Sequence, residues 1–159
     1  MELDINQSET FQRGEWRMER IGWSLVTLFV LAGLVGLLGT GPLSSASATS
    51  GAVSVDYHKV AHYEADDSVT LAFAPAAVEA GAVTATLTGE WPGAVDIQGI
   101  SPEPSEQLLV PGGLVLELPV ERSGELEVTI SFRAQELGHQ EAELSVGSDT
   151  VRFSQLVLP

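Results

Sequence analysis

The sequence contains no cysteine among its 159 residues. Disulfides, thiolate nucleophiles, zinc–thiolate sites and iron–sulfur clusters are therefore excluded. If the protein is exported to an oxidising compartment, its stability has to come from a hydrophobic core without covalent cross-links.

Basic residues are also scarce, since 7 lysines and arginines stand against 22 acidic residues and give a net charge of −15. A nucleic-acid backbone requires a basic footprint, so we expect no nucleic-acid partner. The acidity has two interpretations. It keeps the surface soluble, as in halophilic proteins, or it attracts a basic partner such as a soluble cytochrome.

Charge is absent altogether from residues 21–39, IGWSLVTLFVLAGLVGLLG. As a helix this run is about 28 Å long, close to the thickness of the hydrocarbon core of a bilayer. Gly39, Gly41 and Pro42 are typical of a helix end. We therefore predict a cytoplasmic segment over residues 1–20 and a transmembrane helix over residues 21–41.

The orientation follows from three arginines before this run, Arg13, Arg17 and Arg20, because the next basic residue is Lys59. This asymmetry predicts a cytoplasmic N-terminus in a bacterial inner membrane, with the C-terminal domain in the periplasm. Tryptophan favours the headgroup level of the bilayer. The predicted membrane-interface anchors are Arg13, Trp16, Arg17, Arg20 and Trp23.

A cleaved signal peptide is the alternative, because Ala46, Ser47 and Ala48 match an A-x-A cleavage site that follows Pro42. The long, partly acidic stretch before the apolar run and the length of the run itself favour a retained anchor.

Small residues recur along the predicted helix at Ala32, Gly33, Gly36 and Thr40. Such a ridge lets a neighbouring helix approach closely, although glycine is common in membrane helices in any case. We predict that these four residues form a helix-packing interface with other membrane-protein subunits.

The pattern changes after the helix. Small and polar residues over 42–52 predict a flexible linker. From residue 53 onwards, apolar and polar residues alternate, and glycine or proline separates about eight or nine short runs. We therefore predict an all-β domain over 53–159, an immunoglobulin-like antiparallel sandwich, with a small barrel as the alternative. The predicted core residues are Val55, Tyr57, Leu71, Phe73, Leu87, Val95, Ile97, Leu116, Leu118, Leu126, Val128, Ile130, Phe132, Leu144, Val146, Phe153 and Leu156.

Two histidines stand near several carboxylates. His58 and His62 are four residues apart and precede Asp66 and Asp67. In a strand this separation spans about 13 Å, too far for one metal ion, although a bend at Ala61 would shorten it. The alternating oxygen ligands and glycine turn of a calcium loop are missing. We expect a solvated acidic loop here, with no metal and no cofactor.

Nothing in the sequence selects catalytic residues. It has no G-x-S-x-G motif, and its acidic residues fall on the solvent-facing phase of the strands. We therefore expect no enzyme. Trp91, followed by Pro92 and Gly93, is predicted at a loop tip, where it is either a partner contact or part of an ordinary turn.

Two segments resemble a group of bacterial single-pass inner-membrane proteins with an extracytoplasmic β-rich domain. One is residues 17–23, RMERIGW, with the helix that follows and its ending GTGPLS. The other is residues 153–159, FSQLVLP. His58 and Lys59 depart from the group's pattern. The resemblance implies the topology given above and no activity.

These features favour a non-catalytic accessory subunit of a respiratory, photosynthetic or transport complex, which is anchored by one helix and braces or caps the complex on the periplasmic side. A membrane-anchored binding module for a basic soluble partner is the first alternative, and an anchored hydrolase is the second.

Overall fold

A computed structural model describes residues 9–34, 44–120 and 124–159, with side chains from Trp16 onwards. Glu9–Leu34 forms one helix, α1. No helix within these stretches is long and apolar enough to cross a membrane. The structure therefore does not support the predicted transmembrane helix over 21–41, whose residues 35–41 lie outside the described ones.

The remaining described chain folds into two facing β-sheets. Sheet A contains, in spatial order, β1 (Ser45–Ser50), β2 (Val53–His58), β4 (Asp66–Phe73), β9 (Leu126–Ala134) and β6 (Val95–Ser101). Sheet B contains β3 (Val60–His62), β11 (Asp149–Leu158), β10 (Gly138–Val146), β5 (Ala82–Gly89), β8 (Gly113–Pro119) and β7 (Glu106–Val110). A short helix, α2 (Trp91–Ala94), joins β5 to β6, and a 3₁₀ turn, Pro75–Ala77, precedes β5. The predicted all-β, two-sheet sandwich is confirmed.

The core lies between the two sheets and is built from alternate residues of each strand. On β9, Val128, Ile130 and Phe132 are fully buried, while the side chains between them face outwards. Burial of each such side chain contributes about 2 kcal/mol, so the strict two-residue period fixes which face of each strand turns inwards. The inward residues of sheet B that belong to the same core cluster include Val83, Leu87, Leu114, Leu116, Leu118, Leu144 and Phe153.

The first strand lies where the sequence predicts a linker. Ser45–Ser50 pairs antiparallel with β2 over its full length, from Ser45 opposite His58 to Ser50 opposite Val53. The linker prediction is wrong for these residues. Small side chains have low strand propensity, but β2 offers a complete row of backbone partners, and Ala48 packs against the core.

The chain passes from one sheet to the other at Lys59. β2 belongs to sheet A, whereas β3 begins at Val60 and pairs with β11 of sheet B, in a parallel arrangement. Two backbone hydrogen bonds hold this crossover. The N–H of Lys59 donates to the carbonyl oxygen of Ser44 at 2.6 Å, and the N–H of Leu156 donates to that of Lys59 at 2.8 Å.

Glycine is required where β5 ends. Gly89 has φ +112°, and a β-carbon there would lie 2.5 Å from the carbonyl oxygen of Glu141 on β10. The close approach lets the N–H of Glu90 donate to the same oxygen at 3.0 Å. The entry into α2 therefore depends on a residue without a side chain.

We expect Gly89→Ala to destabilise the domain by about 2 kcal/mol, because alanine meets both the unfavourable φ and the carbonyl oxygen. Gly99→Ala is the matched control, since a β-carbon there meets nothing within 4 Å, and it should change stability by less than about 1 kcal/mol. Urea unfolding of the full chain, followed by circular dichroism of the β-sheet signal, measures both. Equal losses for the two variants would contradict the assigned role of Gly89.

Candidate functional site

The described residues with the most concentrated polar contacts surround Gln155 on β11, which is almost completely buried. Its Nε2 donates to the carbonyl oxygen of His58 at 2.9 Å and to Oδ2 of Asp67 at 3.0 Å. Its Oε1 accepts a hydrogen bond from Nε1 of Trp91 at 3.1 Å. We call Gln155, Trp91, Asp67 and His58 the Gln155 junction. It joins both sheets and α2.

Trp91 fills the apolar side of this junction. Its ring meets Phe132 of sheet A edge-on at 4.8 Å between centroids, and Phe153 of sheet B at 5.8 Å. The prediction of an exposed partner contact at Trp91 is therefore wrong. The sequence EWPG suggests a turn, but the turn is the helix α2, which points the indole into the core, where a buried N–H needs an acceptor. Gln155 supplies it.

Asp67 is the charged member of the junction, and hydrogen bonds engage both of its oxygens. Oδ1 accepts from the backbone N–H of Ser68 at 2.7 Å and lies 2.7 Å from Nδ1 of His58. The side chain of Asp67 is 13% exposed and that of His58 is 33% exposed. A carboxylate removed from water in this way requires such partners. The pair is thus the solvent-facing end of a hydrogen-bonded chain that begins at the buried indole.

The chemistry available to His58 follows from this contact. With its proton on Nδ1, the ring donates to Asp67, and Nε2 remains a proton acceptor. A depression of about 410 Å³ adjoins the ring and is lined mainly by polar side chains, among them Ser45, Asp56 and Ser68. The contact with Asp67 holds the imidazole of His58 beside this serine-lined depression. This contact explains the position of the ring without a ligand.

The two histidines of the sequence pattern lie in different sheets. His58 ends β2 in sheet A, and His62 ends β3 in sheet B. Within the part of the chain that the structure describes, no three histidine or carboxylate side chains are grouped so that they could hold a metal ion.

Arginine–carboxylate pairs cross neighbouring strands on both outer faces. Arg133 binds Asp66 at 2.7 Å, and Arg152 binds Glu143 at 2.6 Å. Hydrogen bonding to the partner carboxylate is the main cause that raises the pKa of each arginine, and the partner's negative charge adds to it. Both pairs are exposed to solvent, so they contribute little to stability.

The predicted membrane-interface residues all lie within α1. Trp16, Arg17, Arg20 and Trp23 are exposed, and the guanidinium of Arg20 lies 3.6 Å from the centroid of the Trp16 ring. Arg13 also belongs to α1, but the structure describes its backbone alone. This stacking of a cation on an indole gathers charge and aromatic surface at the polar end of the helix.

The predicted helix-packing face is described only in part. Ala32 is half-buried and Gly33 is exposed, both within the last turns of α1. Gly36 and Thr40 lie outside the described residues, so the full ridge remains a prediction.

Gln155 is the residue that the sequence analysis missed, and its neighbour Leu156 was wrongly predicted in the core. Leu156 is 41% exposed, whereas Val151, Phe153, Gln155 and Val157 are all buried. Buried and exposed residues alternate along β11 without a break, and the polar Gln155 takes one of the buried positions. This two-residue period predicts burial of Gln155, whereas the polarity of glutamine favours the exposed face.

No protein-family model matches the chain, and no curated protein sequence matches it. Among solved structures, it is similar to domains 4 and 5 of the S-layer protein SbsC, at 10% identity and a TM-score of 0.44. That match covers 70% of this chain and 54% of the SbsC chain, so this chain spans about half of that length.

The chain is also similar to a cohesin module from a Clostridium perfringens ATCC13124 family 33 glycoside hydrolase, at 11% identity and a TM-score of 0.46, with 69% and 97% of the two chains covered. The bacterial hydrophobin BslA matches at 14% identity and a TM-score of 0.42, with 72% and 98% covered. All three scores are below 0.5, so they carry no inference about function.

We expect Gln155→Leu to destabilise the domain by about 3 kcal/mol, because the indole N–H of Trp91, the carbonyl of His58 and the carboxylate of Asp67 all lose a partner. Gln140→Leu is a matched control, since Gln140 lies directly opposite Gln155 on β10 and is also buried. It should cost less than about 1 kcal/mol. Urea unfolding of both variants decides the matter, and a small effect at Gln155 would show that the junction is dispensable.

Proposed function

We propose that the protein is a non-catalytic accessory subunit of a bacterial membrane complex. In this proposal α1 attaches the chain to the complex at the inner membrane, and the β-sandwich braces the complex on the periplasmic side.

The observation that carries the proposal is the uncovered apolar surface of α1. From Ile21 to Leu34 the helix has no charged residue, and nearly all of its side chains are exposed. Phe29, for example, is 65% exposed and Leu34 is 74% exposed. A helix that is apolar on all sides is stable only when lipid or other protein covers it.

The polar end of α1 supports the orientation. Arg17 and Arg20 stand beside Trp16 and Trp23, and this is the composition found where a helix enters the headgroup layer from the cytoplasmic side. The β-domain follows the helix in the chain and carries most of the acidic residues. An assignment of this domain to the periplasm is consistent with that distribution of charge.

The sandwich itself suits a bracing role because its two sheets are tied together. The Gln155 junction and the aromatic contacts of Trp91 link sheet A to sheet B, so that the domain resists shear between its layers. The immunoglobulin-like relationship expected from the sequence belongs to this proposal as well. Two facing, largely antiparallel sheets support it.

Purification of the full chain from bacterial membranes in a mild detergent tests the proposal. We expect partner subunits to co-purify in a defined ratio. Gly33→Leu should release them, because a large side chain separates closely packed helices. Thr27→Leu is the matched control, since residue 27 lies about 120° around the axis of α1 from Gly33 and about 140° from Ala32, and it should leave the complex intact.

A wild-type chain that runs alone as a monomer in several mild detergents would contradict the proposal. If Gly33→Leu and Thr27→Leu retain the same partners to the same extent, the contact lies elsewhere than on the Gly33 side of α1.

A further inference from the structure

The edge strand β7 leaves one side of sheet B open. β7 pairs with β8 in continuous register, from Glu106 opposite Glu117 to Val110 opposite Gly113. It is the last strand in the order of sheet B, so within the described chain its other edge has no partner strand. The N–H and C=O groups on that edge form a template to which another strand can add.

β6, the last strand of sheet A, has a protected edge, and β7 does not. β6 has a bulge between Ile97 and Gly99, which breaks the regular spacing of its backbone groups. β7 has no such irregularity. It presents two exposed leucines on opposite faces, Leu108 at 54% and Leu109 at 80% exposure.

Leu109 shows that the sandwich does not cover this strand. It lies directly opposite Leu114, which is 1% exposed, so the two side chains share the inward phase of sheet B. A leucine on the core-facing side of a strand keeps most of its surface in water only where the facing sheet does not extend far enough to cover it. An added strand would extend sheet B, pair with the free edge of β7 and pack its own side chains beside Leu109.

The charge around β7 indicates what kind of strand fits. Glu106 and Glu117 are exposed and directly opposite each other on the outer face, where like charges repel. The two arginines that the structure describes in this domain are engaged elsewhere, since Arg133 binds Asp66 and Arg152 binds Glu143. Lys59 stands beside β3, at the far edge of sheet B. Basic side chains on an incoming strand would relieve the repulsion.

From these observations we infer that β7 binds an extended segment of another protein, with alternating basic and apolar side chains, as an additional strand of sheet B. A second copy of this chain is a poor occupant. Residues 44–159 contain 17 acidic and 4 basic residues, so two such domains repel each other. The inference concerns the β-domain and does not depend on the role proposed for α1.

A short synthetic peptide that alternates lysine with valine is a direct probe. We expect it to bind the full chain in detergent at low salt, measured by fluorescence anisotropy, and to slow hydrogen exchange of the β7 amides. A peptide that alternates glutamate with valine, and a lysine–valine peptide with a central proline, should each bind at least about tenfold more weakly. Similar affinity for all three peptides would overturn the inference.

Paired variants locate the contact. Leu109→Lys should weaken binding of the lysine–valine peptide at least about tenfold, whereas Leu156→Lys, an exposed leucine on the interior strand β11, should not. Glu117→Gln should weaken binding and reduce its salt dependence, whereas Glu127→Gln on sheet A should do neither. Because the glutamine variants change no shape, they keep the test valid if Leu109→Lys misfolds.

Self-association is the competing outcome. A dimer of the unmodified chain in sedimentation experiments that Leu109→Lys abolishes would replace the basic partner with a second copy of the chain. Gly33→Leu should leave peptide binding unchanged, so a failure of the strand-addition inference and a failure of the proposed membrane-complex function can be told apart.

Discussion

The hydrogen bonds of Gln155 hold together the place where the chain changes sheets. β2 leaves sheet A at His58 and β3 joins sheet B at Val60, so one residue lies between two layers. The Gln155 amide binds the carbonyl of His58 and the carboxylate of Asp67 from one side and the indole of Trp91 from the other. Buried polar groups of this kind stabilise only when all of them are satisfied, so each member depends on the others.

The consequences extend into the apolar core. With its N–H satisfied, the Trp91 ring can lie between Phe132 and Phe153, one from each sheet. α2 then has a fixed position, which in turn needs the close approach of Gly89 to β10. A sheet crossover, an aromatic cluster and a glycine turn thus form one connected unit at the same end of the sandwich.

The two-residue period made most of the fold predictable from the sequence. It located the strands after residue 53 and the buried phase of β9, because burial of alternate apolar side chains dominates the energetics of a two-layer domain. The period did not predict the structure where the type of side chain suggests a different environment from the one that the residue occupies. β1 consists of serine, alanine and threonine, which are typical of linkers, and only the long-range pairing with β2 makes them a strand. Trp91 was misplaced because its hydrogen bond to Gln155 satisfies the buried indole N–H, and no local pattern reports a contact 64 residues apart.

The two proposals assign different roles to two exposed surfaces of the protein. In our proposals α1 serves for attachment and the edge of β7 serves for recognition, while the Gln155 junction links the two sheets. The most direct test of that link is hydrogen exchange of the Trp91 indole proton in the full chain, assigned by its loss in Trp91→Phe. A buried bond to Gln155 predicts exchange limited by global unfolding of the domain. Exchange as fast as that of an exposed tryptophan would contradict the account.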